Sequence, residues 1–169
     1  MASVGLMPAC LAVLLAAAAA GCAANPAAGS NSAVETNSAV AFLSDTLEAR
    51  RVFIENIDAI HKRDRARYLA TYLHTDALAR NGPGGLELGY DSWSARRDST
   101  WPDTLIARNL RVLSLAPGVV YGTYCYTVTQ KDTTSSGVSE RIFVRTKTGW
   151  KIAVTTAFGL APGAPAQCK

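Results

Sequence analysis

The order of two kinds of segment limits the fold of this chain more than any other feature. Segments with helical spacing of apolar residues come first, and from Arg108 onward the chain is rich in β-branched and aromatic residues. Four strands are predicted there, over residues 110–115, 119–130, 138–146 and 150–158. Helices followed by consecutive strands indicate an α+β domain in which the helices cover one face of an antiparallel sheet.

Two or three helices are predicted ahead of the strands. Ser44 is placed to cap the first helix, with Asp45 and Glu48 in its first turn. Asp64 can cap a second, short helix, and residues 90–101 can contain a third. The buried stripe of the first helix is predicted from the apolar residues at helical spacing, Leu43, Leu47, Phe53, Ile54, Ile57 and Ile60.

The last two strands predict their own register. Their even-numbered positions are mostly apolar, so these positions are expected to face the core. Pairing even with even positions requires a three-residue loop over 147–149, in which Gly149 supplies the left-handed conformation. The expected pairs are Val144–Ile152, Ile142–Val154 and Glu140–Thr156.

The N-terminus predicts export. Residues 11–21 form an apolar run that is too short to span a bilayer and is typical of a signal peptide. Small residues before Cys22 resemble the lipobox of bacterial lipoproteins, which predicts Cys22 as a lipid-anchored first residue at the periplasmic or extracellular face of the cell envelope. Plain secretion is the alternative, because no Lys or Arg precedes the run.

The chain is therefore divided into four parts. Residues 1–21 are the predicted signal peptide, 22–41 the anchor cysteine and a flexible tether, 42–160 the domain and 161–169 a flexible tail. The domain and tail keep two cysteines, Cys125 and Cys168, which an oxidising compartment can join in a disulfide. Two unpaired thiols are the alternative.

Four segments carry a family resemblance. They are HKRDRARYLATYL, HTDALARNGPGG, GTYCYTV and SERIFVRTKTGWKIAVTTAF, and together they cover most of residues 45–158. In order and spacing they resemble the nuclear transport factor 2-like superfamily, and within it the SnoaL-like domains. The resemblance implies a cone-shaped, curved antiparallel sheet wrapped by two to three N-terminal helices, a pocket at its open end and often a dimer. That fold hosts isomerases, cyclases, dehydratases and non-catalytic modules, so it does not define a function.

The resemblance also allows known chemistry to be tested residue by residue. The steroid-isomerase branch uses a Tyr and two Asp side chains, at positions that match Asn56, Asn81 and Arg141 here. Many SnoaL-like relatives carry a His where this chain has Val154 or Thr156. Neither constellation is present, and Asn does not accept a proton near neutral pH.

Other classes of function lack a signature. His61 and His74 are the only histidines and do not form a ligand cluster with other residues in sequence, so no metal site is predicted. No cofactor motif occurs. The net charge of +4 is spread over small groups interrupted by acidic residues, which argues against a nucleic-acid partner.

Glu140 is the one candidate for a catalytic acid–base or a polar binding group in the pocket. It lies among apolar residues on the strand face predicted to be inward, where a carboxylate requires a partner or a raised pKa. A wet strand edge, with Glu140 paired to a surface Lys or Arg, is the alternative. The predicted pocket lining is Phe53, Asn56, Ile60, Asn81, Trp93, Trp101, Tyr124, Tyr126, Glu140, Trp150 and Thr156, although the aromatic members can equally be core.

Three functions remain open. The first is an envelope domain that binds a small apolar or amphipathic ligand in the cone, or that dimerises through its sheet face, and touches the membrane only through its anchor. The second is an enzyme of the cyclase, isomerase or dehydratase kind. The third is an assembly module with a filled cone.

Overall fold

The computed structural model of the protein describes residues 31–95, 101–160 and 168. Within these ranges the chain forms an α+β structure, as predicted, with three helices and a six-stranded, curved, open sheet. The helices are α1 (Asn31–His61), α2 (Arg65–Ala70) and α3 (Tyr90–Ser94). The strands are β1 (Ala79–Gly82), β2 (Gly85–Leu88), β3 (Thr104–Ala116), β4 (Val119–Gln130), β5 (Thr133–Thr146) and β6 (Gly149–Gly159). The predicted signal peptide, Cys22 and most of the predicted tail lie outside the described residues.

The sheet has the strand order β2-β1-β6-β5-β4-β3. Neighbouring strands are antiparallel except β1 and β6, which are parallel. Helix α1 lies across one face of the sheet and contacts β3, β4 and β6. This inner face carries the core and the cavity described below, and the opposite, outer face has no covering element among the described residues. None of the described helices is long and apolar enough to cross a membrane.

Helix α1 differs from its prediction in both start and face. It begins at Asn31, so Ser44 lies inside the helix and part of the predicted tether is helical. Leu43, Leu47 and Ile54, which were predicted to be buried, are 62%, 58% and 59% exposed. The buried face instead runs through Asp45, Ala49, Phe53, Asn56, Ile57 and Ala59.

Polar partners explain why α1 turns this face to the sheet. Asp45 is only 1% exposed, and its carboxylate accepts a hydrogen bond of 2.7 Å from the backbone N–H of Gly118 and pairs with Arg145. A buried carboxylate is tolerated when it is hydrogen-bonded and paired. Apolar spacing alone could not find this face, because it contains two of the polar residues of the helix.

The second helix begins as predicted. The side chain of Asp64 accepts a hydrogen bond of 3.0 Å from the backbone N–H of Arg67, which satisfies a donor of the first turn. The glycine-rich break at 82–85 is the turn of the short β1–β2 hairpin, which was not predicted. Trp93 on α3 is buried.

Because of a bulge, the predicted register of the last hairpin is correct in one part of the hairpin and wrong in the other. The pairs Ile142–Val154 and Glu140–Thr156 are confirmed, and Gly149 has the expected positive φ of 102°. Nearer the turn the prediction is wrong, because Val144 pairs with Lys151 and the connecting loop has two residues.

The predicted facing of β5 is wrong for the same reason. A register shift places both Ile152 and Ala153 opposite Phe143, which reverses the alternation along β6. Ser139, Arg141 and Phe143 are therefore the buried inner residues of β5. The even positions of β5, including Glu140, face outward.

Cys125 and Cys168 are joined in a disulfide with a Cα–Cα distance of 5.2 Å. Cys125 lies near the middle of β4, so this bond ties a residue from the end of the chain to the sheet.

Candidate functional site

A partly open cavity of about 860 Å³ lies between the inner face of the sheet, the helices and the β1–β2 hairpin. Its lining combines six aromatic side chains with three arginines and one carboxylate. These residues are Tyr68, Tyr72, Trp93, Trp101, Tyr124 and Tyr126, then Arg65, Arg80 and Arg141, and Glu87.

The aromatic wall is a connected cluster. The ring of Tyr68 lies edge-on to Trp93 and Trp101, with centroid distances of 5.9 Å and 5.6 Å. Tyr72 contacts Trp93 at 4.7 Å, and the hydroxyls of Tyr68 and Tyr72 are 3.0 Å apart. Burial is the main cause that raises the pKa of Tyr68 well above its ordinary value, and the neighbouring Tyr72 adds to it. This phenol therefore remains protonated.

Arg141 is the buried cation of the cavity. It projects from the inner face of β5 and is 4% exposed. Its Nη1 donates to Oδ1 of Asn56 at 2.8 Å and its Nη2 donates to the hydroxyl of Tyr124 at 2.9 Å. Its Nε is buried and has no hydrogen-bond partner. Among the described residues, no acidic side chain pairs with this guanidinium.

A chain of hydrogen bonds holds Arg141 in place. Asn56, fully buried on α1, donates from Nδ2 to the Thr71 hydroxyl at 2.7 Å, and that hydroxyl donates to the Tyr68 carbonyl at 2.7 Å. The guanidinium also lies 5.2 Å from the ring centroid of Phe53. These contacts fix the orientation of the guanidinium in advance of any ligand.

Arg141 is positively charged over the whole accessible pH range. Burial disfavours its charged form, but the neighbouring phenols of Tyr124 and Tyr72 outweigh burial and raise the pKa of Arg141 above its ordinary value. Guanidinium groups are in any case protonated in proteins.

Two further arginines add positive charge to the lining. Arg80 forms an ion pair of 3.1 Å with Glu87 and stacks over Trp93 at 4.4 Å, while its Nε is buried without a partner. Arg65 donates to the carbonyl of Ser94 at 2.5 Å.

The structure brings most of the predicted pocket residues to the cavity. Phe53 and Trp150 belong to the core instead, and Asn56 lies behind Arg141 as its hydrogen-bond partner. The predicted residues that do line the cavity are Ile60, Asn81, Trp93, Trp101, Tyr124 and Tyr126, together with Thr156, whose side chain points to Glu140 on the outer face.

Glu140 does not reach the cavity, contrary to the prediction. It lies on the outer face, where its Oε1 accepts a hydrogen bond of 2.6 Å from the Tyr121 hydroxyl and its Oε2 one of 3.4 Å from Thr156. The hydrogen bond to Glu140 raises the pKa of Tyr121 above its ordinary value. The partner is thus a phenol rather than the surface Lys or Arg of the alternative interpretation.

Sequence reasoning missed the arginines of the site. Arg141 alternates with Phe143 and Ser139, so one correct assignment of the inner face of β5 would have placed it inside. The bulge at Ala153 concealed that assignment. Arg80 was missed because it lies on the β1–β2 hairpin. That hairpin was not predicted, since its glycine-rich turn was interpreted only as a break.

No metal centre is formed by the part of the chain that the structure describes. In these residues no three His, Cys, Asp or Glu side chains lie close enough together to hold a metal ion. His74 stacks on Tyr90 with a centroid distance of 3.9 Å, and His61 bonds to the carbonyl of Leu105.

Solved structures match this chain over most of their own length, whereas no protein-family model and no curated protein matches it. A nuclear transport factor 2-like superfamily protein from Salmonella enterica is 13% identical, with a TM-score of 0.60 over 73% of this chain and 96% of its own. A nuclear transport factor 2-like protein of unknown function from Shewanella oneidensis is 16% identical, with a TM-score of 0.58 over 66% and 97%. A protein of unknown function with a cystatin-like fold from Nostoc punctiforme is 16% identical, with a TM-score of 0.55 over 70% and 92%.

These similarities define the fold. The chain has the nuclear transport factor 2-like, or cystatin-like, fold that the sequence resemblance implied. Identities this low carry no function with them.

Proposed function

We propose that this domain binds a small organic molecule in its cavity. The observation that carries the proposal is that the cavity stays open, with a volume of about 860 Å³, although six aromatic side chains surround it. Ligand pockets commonly have volumes of roughly 300–1,000 Å³ and combine apolar walls with a few polar groups. A domain that used its cone only for assembly would fill this space with side chains.

The enzyme alternative receives less support from the geometry. Its only proposed acid–base, Glu140, lies on the outer face of the sheet. Glu87 is the carboxylate of the described lining, and it is paired with Arg80. A binding role accounts for the walls and the cations without a proton-transfer group.

The proposal includes an exported, lipid-anchored domain of SnoaL-like type. The disulfide between Cys125 and Cys168 supports export, because structural disulfides persist mainly in oxidising compartments. Lipidation of Cys22 would hold the domain at the envelope. A second copy of the chain is proposed to cover the outer sheet face, where Ile106, Leu113 and Phe158 are exposed.

Native mass spectrometry of the exported protein, purified from an envelope fraction, tests the binding proposal. A defined extra mass on the wild-type protein is expected. Ala157 lines the cavity, so Ala157→Phe should fill the space and remove the extra mass. The matched control is Thr123→Phe, on the outer face of the same sheet, which should retain it. An extra mass that survives Ala157→Phe would contradict a ligand in this cavity.

A further inference from the structure

Arg141 presents an unusual combination of burial and charge. Buried charges in proteins are normally paired with an opposite charge or a metal, because desolvating an isolated ion costs much free energy. Arg141 is 4% exposed, and its side-chain partners are an amide and a phenol. The protein therefore holds a desolvated positive charge at the cavity wall that nothing among the described residues neutralises.

The guanidinium keeps donor capacity that no described residue accepts. Asn56 and Tyr124 each take one N–H, from Nη1 and Nη2, and the Nε–H is left without a partner. Planar guanidinium groups bind carboxylates through parallel N–H···O bonds of favourable geometry. Asn56 and Tyr124 act as positioning residues, since they hold the guanidinium while an anion approaches from the cavity.

We propose, building on the binding function above, that the ligand is an amphipathic organic anion with one carboxylate on an aromatic or other apolar body. The carboxylate binds Arg141, and the body lies against the aromatic wall formed by Tyr68, Trp93 and Trp101.

The composition of the wall favours this class over a neutral ligand. Arg141 has no acidic partner among the described residues, and Glu87, the carboxylate of the described lining, faces Arg80. A neutral ligand would leave the Arg141 charge uncompensated and desolvated. A carboxylate neutralises it and forms charge-assisted hydrogen bonds, which are about twice as strong as neutral ones.

A monoanion also fits better than a dianion. A phosphate monoester carries close to two charges at neutral pH. Only Arg141 is both deeply buried and free of an acidic partner in the described lining, so a second negative charge would be desolvated without compensation. We therefore assign a carboxylate rather than a phosphate.

Matched pairs of acid and amide test the assignment by isothermal titration. The probes are benzoate and benzamide, 2-naphthoate and 2-naphthamide, and decanoate and decanamide, with 2-naphthyl phosphate as the dianion. The acid of at least one pair should bind the wild-type protein about 10-fold or more tightly than its amide, as expected for a hydrogen-bonded charge.

Variants then locate the preference. Arg141→Met should bring the affinity of the acid down to that of the amide, and Arg111→Met, on the exposed outer side of β3, should leave the preference intact. If Arg141→Met does not fold, the comparison of acid with amide on the wild-type protein decides alone.

The outcomes separate the two proposals. Equal binding of acid and amide would overturn the anion assignment and leave the binding function standing. Binding of none of the probes would count against both. Tightest binding of 2-naphthyl phosphate would overturn the carboxylate class, and an acid preference that survives Arg141→Met would overturn the role of Arg141.

Discussion

Nη1 of Arg141 on β5 donates a hydrogen bond of 2.8 Å to Oδ1 of Asn56 on α1, and both side chains are buried. This bond connects the long helix to the middle of the sheet. Because the partner is an amide and not a carboxylate, it orients the guanidinium without neutralising it. The difference between one amide and one carboxylate at position 56 therefore separates an anion receptor from a closed ion pair.

Asn56→Asp should convert the receptor into an internal ion pair. The new carboxylate has nearly the same shape as the amide and would neutralise the charge of Arg141. Affinity for 2-naphthoate should therefore fall about 10-fold or more. Titration calorimetry measures the affinity, and a urea titration shows whether the variant remains folded. Thr123→Asp adds the same charge on the outer face and should leave the affinity nearly unchanged. Undiminished binding by a folded Asn56→Asp variant would contradict the proposed role of Arg141.

The ion pair between Asp45 and Arg145 is a second contact between helix and sheet, and its role is structural. Asp45→Asn keeps the shape but removes the charge that pairs with Arg145 and accepts from Gly118. Since Arg145 is 53% exposed, part of the interaction is screened, and a loss of about 1–3 kcal/mol in the free energy of unfolding is expected.

Glu48→Gln is the matched control for Asp45→Asn. It removes an ion pair with Arg51 in which the side chains are 41% and 76% exposed, on the same helix. Such pairs contribute about 0–1 kcal/mol. Similar losses for the two variants in urea titrations would show that the burial of Asp45 has no energetic consequence.

These two contacts also show why the sequence predicted the class of the fold better than its details. The α+β order, the four long strands and the Asp64 cap follow from local patterns of residues, which one segment carries by itself. The face of α1 depends on partners of Asp45 that lie far away in the chain, on β5 and in the β3–β4 turn. No periodicity within the helix contains that information.

The site was hidden by a single residue. Alternation along β5 and β6 predicts one inner face for both strands, but Ala153 is the extra residue of a bulge and reverses the facing of β6 beyond it. Glu140 was therefore placed inside and Arg141 outside. The predicted facing of these two side chains was opposite to the observed facing. The charge expected in the cavity therefore had the wrong sign.

At Gly137 we expect that a single added methyl group is not tolerated. A Cβ added there would overlap the carbonyl oxygen of Phe158 and the ring of Tyr126, which lies over this glycine. Gly137→Ala should lower the free energy of unfolding by roughly 1–3 kcal/mol or more, because a backbone atom must move. Gly159→Ala, on the residue paired with Gly137, meets nothing within 4 Å and should be nearly neutral. Equal urea midpoints for the two variants would rule out this packing.

Because of the disulfide, we expect the stability of the domain to depend on the redox conditions. Breaking the bond between Cys125 and Cys168, which are 43 residues apart, should cost about 2–4 kcal/mol. Thermal unfolding with and without dithiothreitol measures the loss, and the variant carrying Cys125→Ser and Cys168→Ser should not respond to the reductant. Alkylation of both cysteines in the unreduced, denatured wild-type domain would contradict the bond.

The most direct test of the central claim follows the Nε–H of Arg141 itself. In a nitrogen–proton correlation spectrum, its resonance is assigned as the signal lost in Arg141→Lys. Saturating 2-naphthoate should shift this proton, because a carboxylate bound at the guanidinium changes the charge next to the Nε–H, whereas 2-naphthamide should shift it little. A resonance that stays in place while 2-naphthoate binds the protein would contradict anion recognition by Arg141.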